Sequence, residues 1–410
     1  MYDYDVIILG GGLAYVGAEL LQKAGLKTAI VEREQAHLGG VCLHEGCIPT
    51  KLYLFEARKL FELKNSPLIS VKDLSLNLKN LKEKKQKLTK TLRDQIEKLL
   101  KGVDFIYGYG ELVEPHVVEV EGRRISGKYI ILNTGKSYPQ KPNGNDLLEL
   151  EELPGSIKLA GDDPILLEFA CMYALMGVSV EAYFEEKSLE FMHPSIRTRL
   201  LKSLKELGVL FKPMPDTLPE AVYWLKKRVP NSQCIRLDLA RDEKGHILVD
   251  RSYETSLRDH YAVGDINGIV ELAHASRLQS FSVAQKLIKG KGFFTPPYKI
   301  PYVLYTQPLS YARVGLTRKE LEEKKVEFSE KSVSLRAFAV GSIYHTEEGM
   351  AFLYFDKKGF FLGGELLSRD AGEIISLLTT SLFSELNLDI LSRLCLPHPT
   401  LAESLFLRLL

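Results

Sequence analysis

Two stretches of the chain share one rhythm of apolar and polar positions. The first, "VIILGGGLAYVGAELLQKAGLKTAIVERE" from Val6, reads as a buried-strand run over 5–9, a glycine turn and a helix from about Ala14 to Ala24. A second strand over 27–32 ends at Glu32 and completes a βαβ unit. The other stretch, "IKLAGDDPILLEFACMYALMGVSVEAYFEE" from Ile157, repeats strand, turn, helix, glycine and strand over about 157–185. Between them, residues 74–101 carry leucines at helical spacing among many lysines, which predicts a long amphipathic helix. Its lysine-rich face reads first as solvated, and second as a docking surface for an acidic partner.

The alternation in "VVEVEGRRISGKYIILNTG" predicts a hairpin that leads into a buried strand ending near Thr134. After the second βαβ unit, "SIRTRLLKSLKELG" predicts a helix and the residues near Val222 a short strand. Residues 260–290 again read as strand, turn and helix. The proline-rich "FFTPPYKIPY" marks a boundary. Beyond it comes a strand-rich segment, then helices from about Ala371, so a C-terminal domain starts at about residue 297.

Composition narrows the class. A chain of 410 residues with 45% hydrophobic and 26% charged residues is an ordinary globular protein of two to four domains. A net charge of +1 gives no support to nucleic-acid or membrane-surface binding. No apolar run reaches the roughly 18 residues of a membrane span, and Met1 leads directly into a strand, so neither membrane insertion nor a signal peptide is expected. The five cysteines (42, 47, 171, 234 and 395) are few and odd in number. That argues for a reducing cytoplasm, where a disulfide is catalytic rather than structural.

The first turn, Gly10-x-Gly12, has the form of a phosphate-binding turn. Gly10 permits the turn, Gly12 lets the backbone approach a pyrophosphate, and the helix that follows supplies N–H groups and a favourable dipole. Glu32, 22 residues after Gly10, stands where an acid binds a ribose hydroxyl. A tight βα turn without ligand is the alternative. Gly10 to Gly25 spans 15 residues, against 16 from Gly161 to Gly177, so the first turn is one residue short. Ala14 or Tyr15 then stands where a third glycine would help pack helix against strand.

The segment "GGVCLHEGCIPTK" carries the chemistry. Cys42 and Cys47 lie five positions apart, and helical periodicity begins just after Cys47. A loop of this size can bring two Cα atoms to disulfide distance. Cys47 at a helix start feels the N-terminal dipole, which favours its thiolate. Lys51, one turn further along, can set its ammonium beside that thiolate or a cofactor ring. The alternatives are a metal site, for which no second ligand pair is evident, and two unpaired structural cysteines.

With these residues the chain resembles the class I pyridine nucleotide–disulfide oxidoreductases, most of all their dihydrolipoamide dehydrogenase branch. The resemblance covers nearly the whole chain and is most specific from Gly39 to Lys51, Gly40 included. It implies an α/β fold of two Rossmann-like three-layer domains, which bind FAD and NAD(P), and a C-terminal α+β dimerisation domain. Residues 1–140 and 260–296 would form the FAD-binding domain, 141–259 a shortened NAD-binding-like domain and 297–410 the interface domain. It further implies that Cys42 exchanges with substrate and that Cys47 lies against the flavin as the charge-transfer thiolate.

Other blocks agree with the resemblance. "ILNTG" sets Thr134 and Gly135 at the return from the first FAD-binding segment. "YAVGD" sets Gly264 and Asp265 at the ribityl contact, and "ELAHAS" sets Ala273 and His274 beside the flavin. "YTQPLSYARVGLT", "LGGELLSRDAGEII" and "LPHPTLAESL" resemble the interface domain.

His398, in "HPTLAE", has the titration range for an acid–base in thiol–disulfide exchange, and Glu403 at a helix start can orient its ring. In the family this pair reaches the disulfide of the other subunit, which implies a homodimer. The C-terminus lacks the further cysteine pair of a mercuric reductase. His44 and Glu45 replace the family's usual Asn and Val between the cysteines.

The second turn departs from the pattern. Gly161 is present, but Asp163 replaces the second glycine, the third falls at Leu166, and the ribose-binding acid has become Phe184, followed by Glu185. A carboxylate about 4 Å from a phosphate is repelled by about 4 kcal/mol at an effective dielectric near 20. The family's β-meander after this unit is largely missing, and its glycine before Arg228 is replaced, leaving Lys226-Lys227-Arg228. Glu168 is retained, where the family has an acid paired with the lysine that Lys51 matches.

The sequence therefore leads to an FAD-dependent dithiol–disulfide oxidoreductase acting on a dihydrolipoyl-type dithiol, free or on a lipoyl-bearing protein. Normal NAD binding is not expected, so the electron acceptor is another molecule. An ordinary NAD-linked dihydrolipoamide dehydrogenase and a non-catalytic flavin-bearing subunit are the alternatives. Retention of Cys42, Cys47, Lys51, His398 and Glu403 weighs against the last.

Overall fold

The computed structural model describes residues 1–217, 219–407 and 409. Its first lobe opens with β1 (Tyr4–Leu9), α1 (Tyr15–Lys23) and β2 (Thr28–Glu32). The run Val6–Leu9 is buried on both faces, as a central parallel strand requires, and pairs in parallel with β2. The chain continues through α2 (Gly40–His44), α3 (Cys47–Lys64), α4 (Leu78–Leu99) and β3 (Asp104–Tyr107). Helix α4 starts later than the leucine spacing suggests, because the Asn77 side chain accepts the Asn80 N–H and caps it there. Leu78, Leu81, Lys85 and Thr89 form its buried face.

Next comes an antiparallel meander of β4 (Gly110–Glu114), β5 (Val117–Val120) and β6 (Arg123–Leu132). The far half of β6 turns parallel to β1, so one sheet runs in the order β3-β2-β1-β6-β5-β4.

The second lobe is entered through the two-residue strand β7 (Lys136–Ser137) and α5 (Gly144–Leu147). It holds β8 (Ser156–Gly161), α6 (Ile165–Leu175), β9 (Ser179–Phe184), α7 (Pro194–Glu206), β10 (Val209–Lys212) and β11 (Val222–Trp224). These strands form a small parallel sheet in the order β10-β9-β8-β11. The exit strand β12 (Val229–Pro230) pairs antiparallel with β7, and this ribbon links the two lobes. The chain then rejoins the first sheet as β13 (His260–Ala262), parallel to β6, and packs α8 (Ala273–Lys289) against α1.

The third lobe contains β14 (Tyr302–Leu304), β15 (Ser310–Gly315), α9 (Arg318–Glu323), β16 (Ser329–Ser334), α10 (Ala339–Ile343), β17 (Met350–Phe355) and β18 (Phe361–Ser368). Its antiparallel sheet runs β14-β15-β18-β17-β16. Helix α11 (Ala371–Phe383) packs over β15 and β18, and the short α12 (Leu388–Ser392) and α13 (Leu401–Ser404) follow. The architecture is the expected one: two Rossmann-like α/β lobes and an α+β C-terminal domain.

Most of the second lobe's core is shared with its neighbours, apart from a small cluster of Ala160, Tyr183 and Val222. Tyr53 and Leu54 of α3, Phe169 and Met172 of α6, Leu200 of α7, and Tyr311 and Tyr354 of the third sheet belong to one continuous hydrophobic cluster. At its edge the buried Glu365 accepts from Tyr311 Oη at 2.9 Å, Tyr354 Oη at 2.8 Å and the His193 N–H at 2.8 Å.

Candidate active site

The redox segment is built on two adjoining helices. Gly39 (φ +101°) and Gly40 (φ +65°) turn the chain into α2, and Cβ atoms there would collide with Leu43 and with the Gly12 Cα. The Gly39 N–H donates to the Gly11 carbonyl at 2.8 Å, so the cysteine segment rests on the first glycine turn. Cys42 lies on α2 and Cys47 opens α3. Both are thiols in this structure, and the Cys42 thiol donates to the Cys47 sulfur.

That hydrogen bond makes the pair unequal. It raises the Cys42 thiol, which burial raises further. It also lowers Cys47 to about 7, with the Arg228 cation helping and burial opposing. Cys47 is exposed at the start of α3.

The expected pairing of Lys51 with Glu168 is not formed. Lys51 Nζ sits 3.9 Å from the centroid of the Tyr305 ring, while Glu168 Oε1 accepts the Tyr305 N–H at 2.8 Å. Burial pushes Glu168 up to about 8 and lowers Lys51. A carboxyl group that is neutral at pH 7 has little to offer an ammonium, and the aromatic face takes the cation instead. Tyr305 comes from "YTQP", and its place between the two was not legible from spacing along the chain.

The first glycine turn has the form of an anion cradle. At Gly10 (φ +106°) a Cβ would lie 2.4 Å from the Asn133 carbonyl, and at Gly12 2.9 Å from Asn133 Nδ2. The Gly11 N–H donates to Glu32 Oε2 at 2.7 Å. Among the described residues none accepts from the N–H groups of Gly12, Leu13 or Ala14, which lead into the N-terminus of α1. The one-residue shortening leaves neither Ala14 nor Tyr15 in the third glycine's role. Gly17 takes it, and against a helix rather than a strand: a Cβ there would sit 2.3 Å from Ser280 Oγ on α8.

The remaining residues expected at the cofactor follow β6, follow β13 and open α8. Thr134 Oγ1 is buried without a partner. Gly135 (φ +67°) and Thr134 offer their carbonyls to Asn231, at 2.9 Å to its N–H and 2.9 Å to its Nδ2. Gly264 (φ +79°) donates its N–H to Gln279 Oε1 at 2.8 Å. Asp265, raised by burial, faces Arg228 Nη2 at 3.8 Å. Ala273 and His274 open α8, and His274 Nε2 bonds the Pro301 carbonyl at 2.8 Å. Close glycines, unpaired N–H groups, Glu32 and the orphaned Thr134 hydroxyl fit a dinucleotide with a pyrophosphate at the turn.

The second turn is filled by its own side chains. Gly161 lies so close to the next strand that a Cβ would be 2.0 Å from the Leu225 carbonyl. Asp163 Oδ1 accepts the Ile165 N–H at 3.0 Å, taking a bond that a bound anion would receive at the start of α6. Asp162 Oδ1 accepts the Lys227 N–H at 3.1 Å. Phe184 is buried in the shared core, and Glu185 pairs with Lys187 at 2.7 Å.

His398 follows none of these. Its side chain is 75% exposed, and its Nδ1 bonds Glu403 Oε1 at 2.9 Å. Glu403 is buried and held by the capping box of α13: Thr400 Oγ1 accepts the Glu403 N–H, and Glu403 Oε1 accepts the Thr400 N–H. The ring's Nε2 is therefore presented outward. Between the cysteines, His44 Nε2 bonds the Leu38 carbonyl at 2.8 Å, and Glu45 Oε2 accepts from Asn145 Nδ2 at 2.6 Å across to α5.

Known proteins share the sequence pattern and the fold of this chain. Residues 4–216 match the family model described as pyridine nucleotide-disulphide oxidoreductase, and residues 300–407 match that family's dimerisation domain. The dihydrolipoyl dehydrogenase of Mycoplasma genitalium is 28% identical, over 98% of this chain and 96% of its own. The mitochondrial dihydrolipoyl dehydrogenase of Pisum sativum is also 28% identical, over 98% and 90%. The solved HOCl-induced flavoprotein disulfide reductase RclA from Escherichia coli superposes with a TM-score of 0.86 at 24% identity, covering 98% of each chain.

Proposed function

This chain belongs to the pyridine nucleotide-disulphide oxidoreductase family, and we propose that within it the protein oxidises a dihydrolipoyl-type dithiol and passes the electrons to an acceptor other than NAD(P). It is a flavoprotein disulfide oxidoreductase of the dihydrolipoyl dehydrogenase type, and FAD is its cofactor. The dimerisation-domain match supports a homodimer. No helix among the described residues is long and apolar enough to cross a membrane. A cytoplasmic setting follows from the cysteine usage as part of this proposal.

The observation that carries the reading is the pair of cysteines on adjoining helices, Cys42 on α2 and Cys47 at the start of α3. A substrate thiolate attacks Cys42 Sγ of the oxidised pair, the S–S bond breaks, and Cys47 leaves as the thiolate its surroundings favour. His398 of the partner subunit, oriented by Glu403, takes the proton of the second substrate thiol. That sulfur displaces Cys42 from the mixed disulfide, and the Cys42 thiolate recovers the proton from the imidazolium. The dithiol has lost two electrons and two protons; the enzyme holds one thiol and one thiolate, and the other proton is in solvent. Bound FAD would supply the two-electron relay from the reduced cysteine pair to the second acceptor. Gly10, Gly12, Gly40 and Glu32 would hold its nucleotide half, and Asp265 with the start of α8 the flavin half.

The degenerate second turn supports the exclusion of NAD(P). Asp163 and Asp162 use hydrogen bonds and space that a pyrophosphate needs, and Phe184 has no means of binding a ribose. The acceptor is then a protein carrier, a quinone or oxygen.

Anaerobic titration tests the proposal. Dihydrolipoamide should bleach the flavin and raise a long-wavelength charge-transfer band, while micromolar NADH should do neither. Rapid reduction by NADH would refute the exclusion of NAD(P). Absence of the band with any dithiol would refute the dithiol reading.

A further inference from the structure

The residues between the two cysteines are held by different parts of the fold. Leu43 is buried. His44 Nε2 bonds the Leu38 carbonyl at 2.8 Å, within the same segment of the first lobe. The Gly46 carbonyl accepts the Thr50 N–H at 3.0 Å and Thr50 Oγ1 at 2.8 Å, which ties it to α3. Glu45 reaches out of the first lobe: its Oε2 accepts from Asn145 Nδ2 at 2.6 Å, 100 residues further along the chain.

Asn145 is itself fixed. Its N–H donates to Asn143 Oδ1 at 2.9 Å, and the Asn143 N–H donates to Asp146 Oδ2 at 2.8 Å, within the capping box that starts α5. The carbonyls at the other end of α5 are taken by two buried tyrosines. Tyr173 Oη of α6 donates to Leu147 at 2.6 Å, and Tyr53 Oη of α3 donates to Leu148 at 3.0 Å. Tyr53 lies on the helix that Cys47 opens, and Glu45 ends the helix that carries Cys42. The short α5 is therefore bonded to both halves of the redox unit, one near each of its ends. Both cysteines are thiols in this structure, and their sulfurs already share a hydrogen bond.

We propose that Glu45 and Asn145 are a positioning pair that, through α5, holds the end of α2 against α3 and keeps the Cys42 and Cys47 sulfurs together after reduction. The advantage is entropic. Two thiols already held side by side lose less chain freedom when the S–S bond closes. The brace therefore favours the disulfide over the dithiol, and the second lobe acts on the dithiol chemistry without a nucleotide.

The inference rests on Cys42 and Cys47 being the redox pair. It is tested on the FAD-loaded protein, equilibrated anaerobically with mixtures of reduced and oxidised dithiothreitol. In that exchange the Cys42–Cys47 bond breaks and one closes in dithiothreitol, which gives up two electrons and two protons. Cys42 takes one proton, and the other goes to Cys47 or to solvent. A thiol-alkylating maleimide stops the exchange, and mass spectrometry of the peptide with both cysteines gives the ratio of disulfide to dithiol.

Glu45→Ala should lower the disulfide-to-dithiol equilibrium constant about tenfold, a rise of about 30 mV in potential. Asn145→Ala should match it. The double variant should fall no further than either single change, since all three lack the same bond. Glu45→Gln, whose amide oxygen still accepts from Asn145, should stay near wild type.

Wild-type equilibrium constants in Glu45→Ala and Asn145→Ala would overturn the proposal. So would a shift in Glu45→Gln as large as that in Glu45→Ala, since charge and not the bond would then act. Full additivity in the double variant would overturn the pairing. Should Glu45→Ala not fold, Asn145→Ala, which leaves the redox segment intact, decides alone. A wild-type protein that forms no Cys42–Cys47 disulfide even in oxidised dithiothreitol would instead overturn the redox pair itself.

Discussion

Ser280 Oγ accepts the Gly17 N–H at 3.0 Å and donates to the Ala14 carbonyl at 2.9 Å, joining α1 to α8 beneath the first glycine turn. The two helices meet so closely that no side chain fits at position 17. Gly17→Ala should therefore destabilise the protein by about 1–3 kcal/mol through overpacking. Because α1 carries the turn, it should also weaken flavin retention. Thermal melting and the flavin-to-protein absorbance ratio of the purified variant measure both. A variant that melts with wild type would show that the helices separate without cost.

The Cys47 thiol gives the reduced protein a pH signature. Its value in the folded state is about 7, below the ordinary 9.0, so the folded state releases this proton first. The stabilisation is fully present above pH 9 and is lost as pH falls through about 7. Relative to Cys47→Ser, reduced wild type should gain denaturant resistance between pH 6 and 9. Equal midpoints for both proteins across that range would contradict the depressed thiol.

The two cysteines should fail differently. Cys42→Ser should keep FAD and a Cys47 thiolate but lose turnover on the order of a thousandfold or more, since the exchanging sulfur is gone. Steady-state rates with dihydrolipoamide and an artificial acceptor, beside the flavin spectrum, separate binding from chemistry. Substantial residual turnover would move the exchange role elsewhere.

His398 and Glu403 offer a test of the subunit arrangement. Removal of the imidazole in His398→Ala should cost about 10²–10⁴-fold in turnover with a dithiol. Glu403→Gln should cost less, by releasing the ring held through Nδ1 at 2.9 Å. Mixed dimers of Cys42→Ser with His398→Ala chains should regain activity, since one of their two sites would hold both wild-type groups. Mixed dimers as inactive as the parents would place Cys42 and His398 in one subunit's site.

Asp163→Ala should cost about 1 kcal/mol by leaving the Ile165 N–H at the start of α6 without its carboxylate. Asp163→Asn, which keeps an acceptor, should cost less. Thermal denaturation of the two variants beside wild type decides. Equal melting temperatures would mean that the carboxylate adds nothing to the turn.

Much of this was legible along the chain, and the reason is local. Strand, turn and helix in both βαβ units are set by residues within a few positions of one another, as is the Cys42–Cys47 spacing. What escaped depends on contacts between distant segments. Gly17 meets Ser280 from 263 residues away, Asp162 meets Lys227 across 65, and Glu168 meets Tyr305 across 137. The charge of the two aspartates is legible in the sequence alone. Their positive roles, as acceptors for Ile165 and Lys227, required knowing which N–H groups the fold brings to them.

The continuous core of the second lobe has a further consequence. Its helix α6 lies against α3 on one side and the third sheet on the other, so cutting the lobe out would lay bare apolar surface on both neighbours at once. A chain built this way could lose a ligand without being able to shed the module that would bind it. The lobe persists as a keystone, and a shortened descendant would have to trim its outer loops, never its inner faces.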